Sequence, residues 1–223
     1  MDTLRFEGVK KTFGDHPVLL GLSAEVPLKG VTFIVGKSGS GKSVLCRMAV
    51  GLLKPDAGTV SLLGEAVQTL PERKLVKLRA QVPYLVQGPA LLDWLSLKDN
   101  VKLAKPEASD APAREALGRV GLADVAERFP PEVGPGVKKR AAIARALLLG
   151  PKYLLLDEPT TGLDKGAAGQ VNAALETLKS QGLGALVVSH DYRALEALAD
   201  HVVEVHEGVV GYQGNAHGFL AAR

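Results

Sequence analysis

Cysteine is almost missing from this chain: Cys46 is the single one among 223 residues. An intrachain disulfide is thereby excluded, and such usage suits a reducing compartment. Placed just after a Gly-rich stretch, Cys46 reads as a small buried residue more readily than as a reactive thiol. No run approaches the ~18 unbroken apolar residues of a membrane span. The longest candidate, 141–150, is interrupted by Arg145. Met1-Asp2-Thr3-Leu4-Arg5 lacks the apolar core of a secretory leader, so a soluble, intracellular protein is expected. The five histidines are scattered with no pair at metal-ligand spacing, which argues against a zinc centre. A net charge of +3 is too small and dispersed to argue for a nucleic-acid partner.

What the chain does have is apolar content, 46%, and a length that fits one domain with a sizeable core or one domain carrying an insertion. Its most informative stretch is Val31-Thr32-Phe33-Ile34-Val35 followed by Gly36-Lys37-Ser38-Gly39-Ser40-Gly41-Lys42-Ser43 and then Val44-Leu45. An apolar strand meets a Gly-rich turn and then a helix-compatible run, and 36–43 fits G-x-x-x-x-G-K-[ST] at every fixed position. Gly36, Gly39 and Gly41 permit positive φ and close approach of backbone to a ligand. The loop amides at a helix N-terminus form an anion nest. Lys42 supplies a point charge for β- and γ-phosphates, and the Ser43 hydroxyl suits Mg²⁺. A nucleoside triphosphate is the expected ligand.

Around this stretch the pattern is mixed. Residues 4–9 and 22–26, with a turn at 14–17, read as an antiparallel sheet preceding the P-loop strand. A helix is expected over about 41–51, a strand at 59–63, a helix at 70–78 and a buried strand at 82–86. From 88 to about 137 the periodicity turns helical and is broken by Pro106, Pro112, Pro130, Pro131 and Pro135, with helices expected at 111–120 and 122–127. From Lys138 helix and strand alternate: strands at 153–156, 183–188 and 202–205, helices at 166–180 and 192–198. That alternation implies parallel strands with right-handed crossovers. The expected organisation is one α/β domain over 1–223. Its P-loop NTPase core and antiparallel β subdomain occupy 1–87 and 138–223, with a helical subdomain at 88–137.

Tyr153-Leu154-Leu155-Leu156-Asp157-Glu158 is an apolar strand ending in two acids. A carboxylate at the end of a parallel strand beside a P-loop can hold Mg²⁺, which suits Asp157. Glu158 is expected on the opposite side of the strand, where it can face the γ-phosphate and orient or deprotonate water. Pro159-Thr160-Thr161-Gly162-Leu163-Asp164 follows directly.

With these motifs in place the chain resembles the ATPase subunit of ABC transporters over essentially its whole length. The resemblance makes 36–43 the Walker A loop, 154–157 the Walker B strand, Glu158 the catalytic glutamate, and 160–164 the D-loop. It also makes Val187-Val188-Ser189-His190-Asp191 the switch-histidine loop and Tyr84-Leu85-Val86-Gln87 the approach to the Q-loop. Catalytic roles are thereby implied for Glu158, His190, Lys42 and Gln87. Nucleotide contacts are implied for Phe13, Gly36, Lys37, Ser38, Gly39, Ser40, Gly41, Lys42, Ser43, Val44, Gln87, Gly136, Asp157 and Asp164, and Mg²⁺ contacts for Ser43, Gln87 and Asp157. Phe13 stands where an adenine-stacking aromatic belongs, with a core aromatic as the alternative. ATP and Mg²⁺ are the implied cofactors. The implied partners are a membrane permease, a second ATPase subunit and, further out, a lipid- or solute-binding protein. The implied location is peripheral, on the cytoplasmic face of the membrane.

One motif departs from the family. Its signature, Leu-Ser-Gly-Gly-Gln, precedes a basic, alanine-rich helix, here Lys138-Lys139-Arg140-Ala141-Ala142-Ile143-Ala144-Arg145. In the signature position stands Val133-Gly134-Pro135-Gly136-Val137. Only Gly136 keeps its identity. Gly134 lacks the hydroxyl that would reach a γ-phosphate across a dimer, and Pro135 has no amide hydrogen but suits a helix start. One lost bond to a charged group costs about 1.5–3 kcal/mol, or roughly tenfold to a hundredfold in rate. A homodimer would then hydrolyse slowly, while a heterodimer could borrow an intact signature; the homodimer is the expectation. The stretch 87–101 and the Lys-Arg after the signature resemble Mce/Mla-type lipid-transport ATPases, so lipid is the expected cargo, with other solutes as the alternative. Trp94 in that stretch reads either as a permease anchor or as local core. Long coiled coils or a second ATPase domain, as in DNA-repair and translation relatives, do not fit in 223 residues. A non-hydrolysing regulator remains the competing class, and the stop soon after Phe219-Leu220 leaves no regulatory domain expected.

Overall fold

A computed structural model describes residues 2–222; Met1, the start of the stretch from which no leader is expected, lies outside them, as does Arg223. The strands are β1 (Thr3–Phe13), β2 (His16–Pro27), β3 (Val31–Val35), β4 (Ala57–Leu62), β5 (Glu65–Ala66), β6 (Tyr84–Leu85), β7 (Tyr153–Asp157), β8 (Gly184–Val188), β9 (His201–His206) and β10 (Val209–Asn215). The α-helices are α1 (Lys42–Ala49), α2 (Glu72–Gln81), α3 (Leu97–Lys102), α4 (Asp110–Arg119), α5 (Pro135–Leu147), α6 (Lys165–Ser180), α7 (Tyr192–Leu198) and α8 (Ala216–Ala221). The fold is mixed α/β with a P-loop NTPase arrangement. One sheet runs β2-β1-β4-β5, all antiparallel. The other runs β10-β9-β3-β8-β7-β6, parallel except for β10.

The period of two along the central strands decides the layering. Phe33, Val35, Leu154, Leu156 and Val187 point into a core shared with α3, α4, α5 and α6. Ile34, Leu155, Leu186 and Val188 point the other way, into a core shared with α1 and the antiparallel sheet. β3, β7 and β8 are buried on both faces, which is why they read as unbroken apolar runs. The same parity carries Asp157 to the α1 side of the sheet.

Several expectations need correction. The strand expected over 82–86 shortens to Tyr84–Leu85. Val82 closes α2 instead, the Pro83 carbonyl accepts from the Leu155 amide at the sheet edge, and the chain leaves the sheet at exposed Val86. The helix expected at 122–127 is a 3₁₀ turn, Ala123–Val125. The Ala126 and Arg128 carbonyls accept from the Lys98 and Leu97 amides, so this backbone pairs with α3 rather than with itself. α3, β10 and α8 had no sequence counterpart. No described helix is long and apolar enough to cross a membrane.

Candidate functional site

The P-loop closes against the sheet. Gly36 has φ +145°, and a Cβ there would lie 2.1 Å from the Val205 carbonyl oxygen, so no other residue fits. Gly39 and Gly41 also take positive φ, as the motif requires. The Lys42 ammonium donates to the Gly36 and Lys37 carbonyls, at 2.9 and 2.8 Å. Burial lowers the Lys42 pKa from the usual lysine value, while Glu158 and Asp157 pull it the other way. The Ser40 hydroxyl is buried with no partner among the described residues.

β7 delivers Asp157 opposite the first turn of α1. Its Oδ1 accepts from Ser43 Oγ at 2.8 Å, and its Oδ2 accepts from the Tyr84 hydroxyl at 2.7 Å. Burial, then the bond to Asp157, raises the Tyr84 pKa, so the phenol stays a donor. Cys46 beneath is fully buried, and burial pushes its thiol up well above the ordinary value, in keeping with a packing role.

Glu158 does not continue the strand alternation. Its φ is +50°, and the carboxylate swings across the mouth of the P-loop. There Oε1 lies 2.9 Å from His190 Nε2, and Oε2 accepts from Thr161 Oγ1 at 2.8 Å. His190 follows β8, held between the buried Ser189 and Asp191, which caps α7. A cavity of about 790 Å³ gathers Phe13, Ser38, Gly39, Gly41, Lys42, Ser43, Val44, Gln87, Glu158 and His190. Phe13 is 44% exposed at its rim with Lys11 Nζ 5.5 Å from the ring centroid, so the core-aromatic reading fails. Gly36, Lys37, Ser40 and Asp157 are not part of that lining.

Gly136 and Asp164 are not in this cavity. Both touch Ala167 instead, where α5 packs on α6: a Cβ on Gly136 would lie 2.9 Å from Ala167 Cβ, and Asp164 Oδ1 caps α6 by accepting from the Ala167 amide at 2.9 Å. Gly134 is the N-cap of α5 with no side-chain bond, Pro135 is its first residue, and a Cβ on Gly134 would meet nothing within 4 Å. Thr161, Arg47 and Val18 line the cavity and Tyr84 bonds Asp157 without having been singled out, and Lys139, outside the lining, donates to the Gln87 and Glu158 carbonyls. Only Tyr84 carried a signal, as an aromatic in the strand leading to Gln87. Trp94 is 73% exposed, so it is not local core.

The donors suit ATP with Mg²⁺. A hydroxyl, a carboxylate and the Gln87 amide are hard oxygen ligands of the kind magnesium takes. An orphaned buried hydroxyl such as Ser40 costs about 1–3 kcal/mol unless a ligand pairs it, and it sits within an amide-lined loop that favours phosphate.

A P-loop facing an Asp-Glu strand end and a histidine across one cavity defines a P-loop ATPase. A family model described as "ABC transporter" matches residues 19–161, and the chain belongs to that family. It is 36% identical over 217 residues to the glutamate transport ATP-binding protein GluA of Corynebacterium efficiens, covering 93% of this chain and 88% of that one. It is 38% identical over 209 residues to the aliphatic sulfonates import ATP-binding protein SsuB of Pseudomonas putida, covering 93% and 74%. The ATP-binding cassette MJ0796, solved as a dimer in a post-hydrolysis state with ADP and Pi, superposes with a TM-score of 0.82 at 25% identity, covering 96% and 98%. The chain is an ATP-binding, ATP-hydrolysing subunit of the kind that energises a membrane permease.

Proposed function

We propose that the 790 Å³ cavity is one half of a composite ATP site. The Gly36–Ser43 amides, the Ser40 hydroxyl and Lys42 hold the β- and γ-phosphates, and Phe13 stacks on the adenine. Ser43, Asp157 and Gln87 would hold magnesium, which screens phosphate charge when bound. Glu158 takes the proton of the attacking water as its oxygen bonds the γ-phosphorus and the β–γ bridge breaks. His190 turns its Nε2, 2.9 Å from Glu158 Oε1, to donate to a γ-phosphate oxygen, which leaves Oε1 for that water. The observation that carries this reading is the Glu158–His190 pair facing the P-loop across one cavity.

The other half comes from a second subunit whose α5 start closes over the phosphates; a homodimer is the first reading, with 88–137 acting as a helical subdomain. The subunit works on the cytoplasmic face of the membrane. Exposed Val86, Leu103 and Leu149 line a groove of about 360 Å³ that fits a permease segment, and Trp94 is a further exposed aromatic on the segment that follows Gln87. Because the relatives above are named for glutamate and aliphatic sulfonates, we assign a small polar solute as the imported cargo. A lipid cargo is the second reading, carried by the segment 87–101 and delivered with a lipid-binding protein.

Phosphate release from MgATP by the chain with its co-expressed permease tests the proposal. Release is expected, stimulated by the cargo. A complex that binds MgATP but never releases phosphate would make the chain a nucleotide-binding regulator.

A further inference from the structure

Lys139 lies in the second turn of α5 and is half-buried. Its ammonium donates to the Gln87 carbonyl and, at 3.4 Å, to the Glu158 carbonyl. Six residues on, Arg145 donates to the Ala90 carbonyl at 2.6 Å and the Pro89 carbonyl at 3.2 Å. One helix therefore holds the turn 87–90 at three carbonyls, and Lys139 alone of these cations also reaches the strand end that carries Glu158.

The Glu158 peptide needs such support. Its left-handed backbone is strained for a non-glycine residue, and neighbouring structure must hold it there. Its amide is fixed by the Val188 carbonyl at 2.9 Å. With the carbonyl accepting from the Thr161 amide at 3.3 Å and from Lys139 at 3.4 Å, the residue is held at both ends, and Lys139 is the contact that ties it to another element. Burial lowers the Lys139 pKa, while Asp157 and Glu158 oppose that shift. A buried cation in such a place is costly unless its donors are used, and here two carbonyls use them.

We propose that Lys139 is a positioning residue that locks the Gln87 turn to the Glu158 peptide, so that these two walls of the nucleotide cavity keep one fixed spacing. The proposal rests on the reading of Glu158 as the residue that orients water. Lys139 lines no part of the cavity, so its removal acts on turnover rather than on nucleotide affinity.

Full-length Lys139→Met, Lys139→Gln and Lys139→Arg test this by three measurements: MgATP affinity, single-turnover phosphate release, and amide exchange over 86–90 and 158–161. Lys139→Met is expected to bind MgATP within threefold of wild type, release phosphate at least tenfold more slowly, and exchange faster in both segments. Lys139→Arg, which keeps charge and donors, is expected to recover at least half of the lost rate. Unchanged exchange in Lys139→Met overturns the lock. Rate and affinity falling in step would overturn it too, by making Lys139 a nucleotide contact. So would an arginine variant no better than methionine. If Lys139→Met does not fold, Lys139→Gln decides: it is expected to exchange faster in both segments, and wild-type exchange sinks the proposal. If wild type itself releases no phosphate, the functional reading fails while the exchange measurement still decides the lock.

Discussion

The chain contains two helix starts that follow Gly-bearing loops, α1 behind Gly36–Gly41 and α5 behind Gly134, and they are equipped very differently. At α1 the amides and dipole are reinforced by Lys42, Ser40 and Ser43, packed inward against Asp157. At α5 the exposed N-cap has no side chain and the first helical residue has no amide hydrogen. The dipole attracts anions at both ends, by about 0.3–1 kcal/mol, but only α1 adds the charge and hydroxyls that turn attraction into a specific site. Within the α5 start the two glycines also differ. Gly136 is demanded by contact with Ala167, whereas Gly134 has open space around it, so packing does not explain its missing hydroxyl. In the composite site proposed above, the chain would thus bring a well-furnished cradle and a sparse lid.

Breaking the cradle should produce the largest effect. Glu158→Gln is expected to slow phosphate release by about 10²–10⁴, the usual contribution of a general base, while ATP stays bound; a rapid-quench assay reads it. Next comes the adenine wall: Phe13→Ala should weaken MgATP by about 1–3 kcal/mol, the worth of an aromatic–base stack, or roughly fivefold to 150-fold by titration calorimetry. On the lid side the expected effects of single substitutions on stability are smaller. Gly136→Ala should cost about 1–3 kcal/mol by overpacking against Ala167, a melting shift of several degrees, whereas Gly134→Ser should leave the melting temperature nearly unchanged.

The smallest effect lies far from both regions. Lys102 and Lys98 hold the exposed Asp110 carboxyl at about 2, below its ordinary value. Because the folded pKa is the lower one, this contribution is present above the unfolded value of about 4 and is lost as pH falls towards 2. Denaturant midpoints of wild type and Asp110→Asn should therefore differ at pH 7 and converge near pH 2.

The P-loop was legible in the sequence because its chemistry depends on residue types at fixed local spacing, and a loop between a buried strand and a helix has one geometry that fits. Asp157 was legible for a related reason: the alternation of β7 assigns its side. Glu158 was placed in the right cavity for an incomplete reason, since its left-handed backbone rather than strand parity aims it. Tyr84 and Lys139 could not be read this way. Their roles arise from which strand pairs with β7 and which turn α5 packs against, both settled by tertiary contact. β10 was hidden by its half-exposed, glycine-interrupted pattern, and α3 by having only six residues.

The central claim is that turnover is limited by the lid and not by the cradle. Phosphate release by Gly134→Ser/Pro135→Gly, measured against protein concentration beside wild type, tests it most directly. A homodimer limited by its lid predicts a rate roughly tenfold to a hundredfold higher for the double variant, the worth of one restored bond to a charged group, and rising steeply with concentration. A rate unchanged from wild type at every concentration would contradict it.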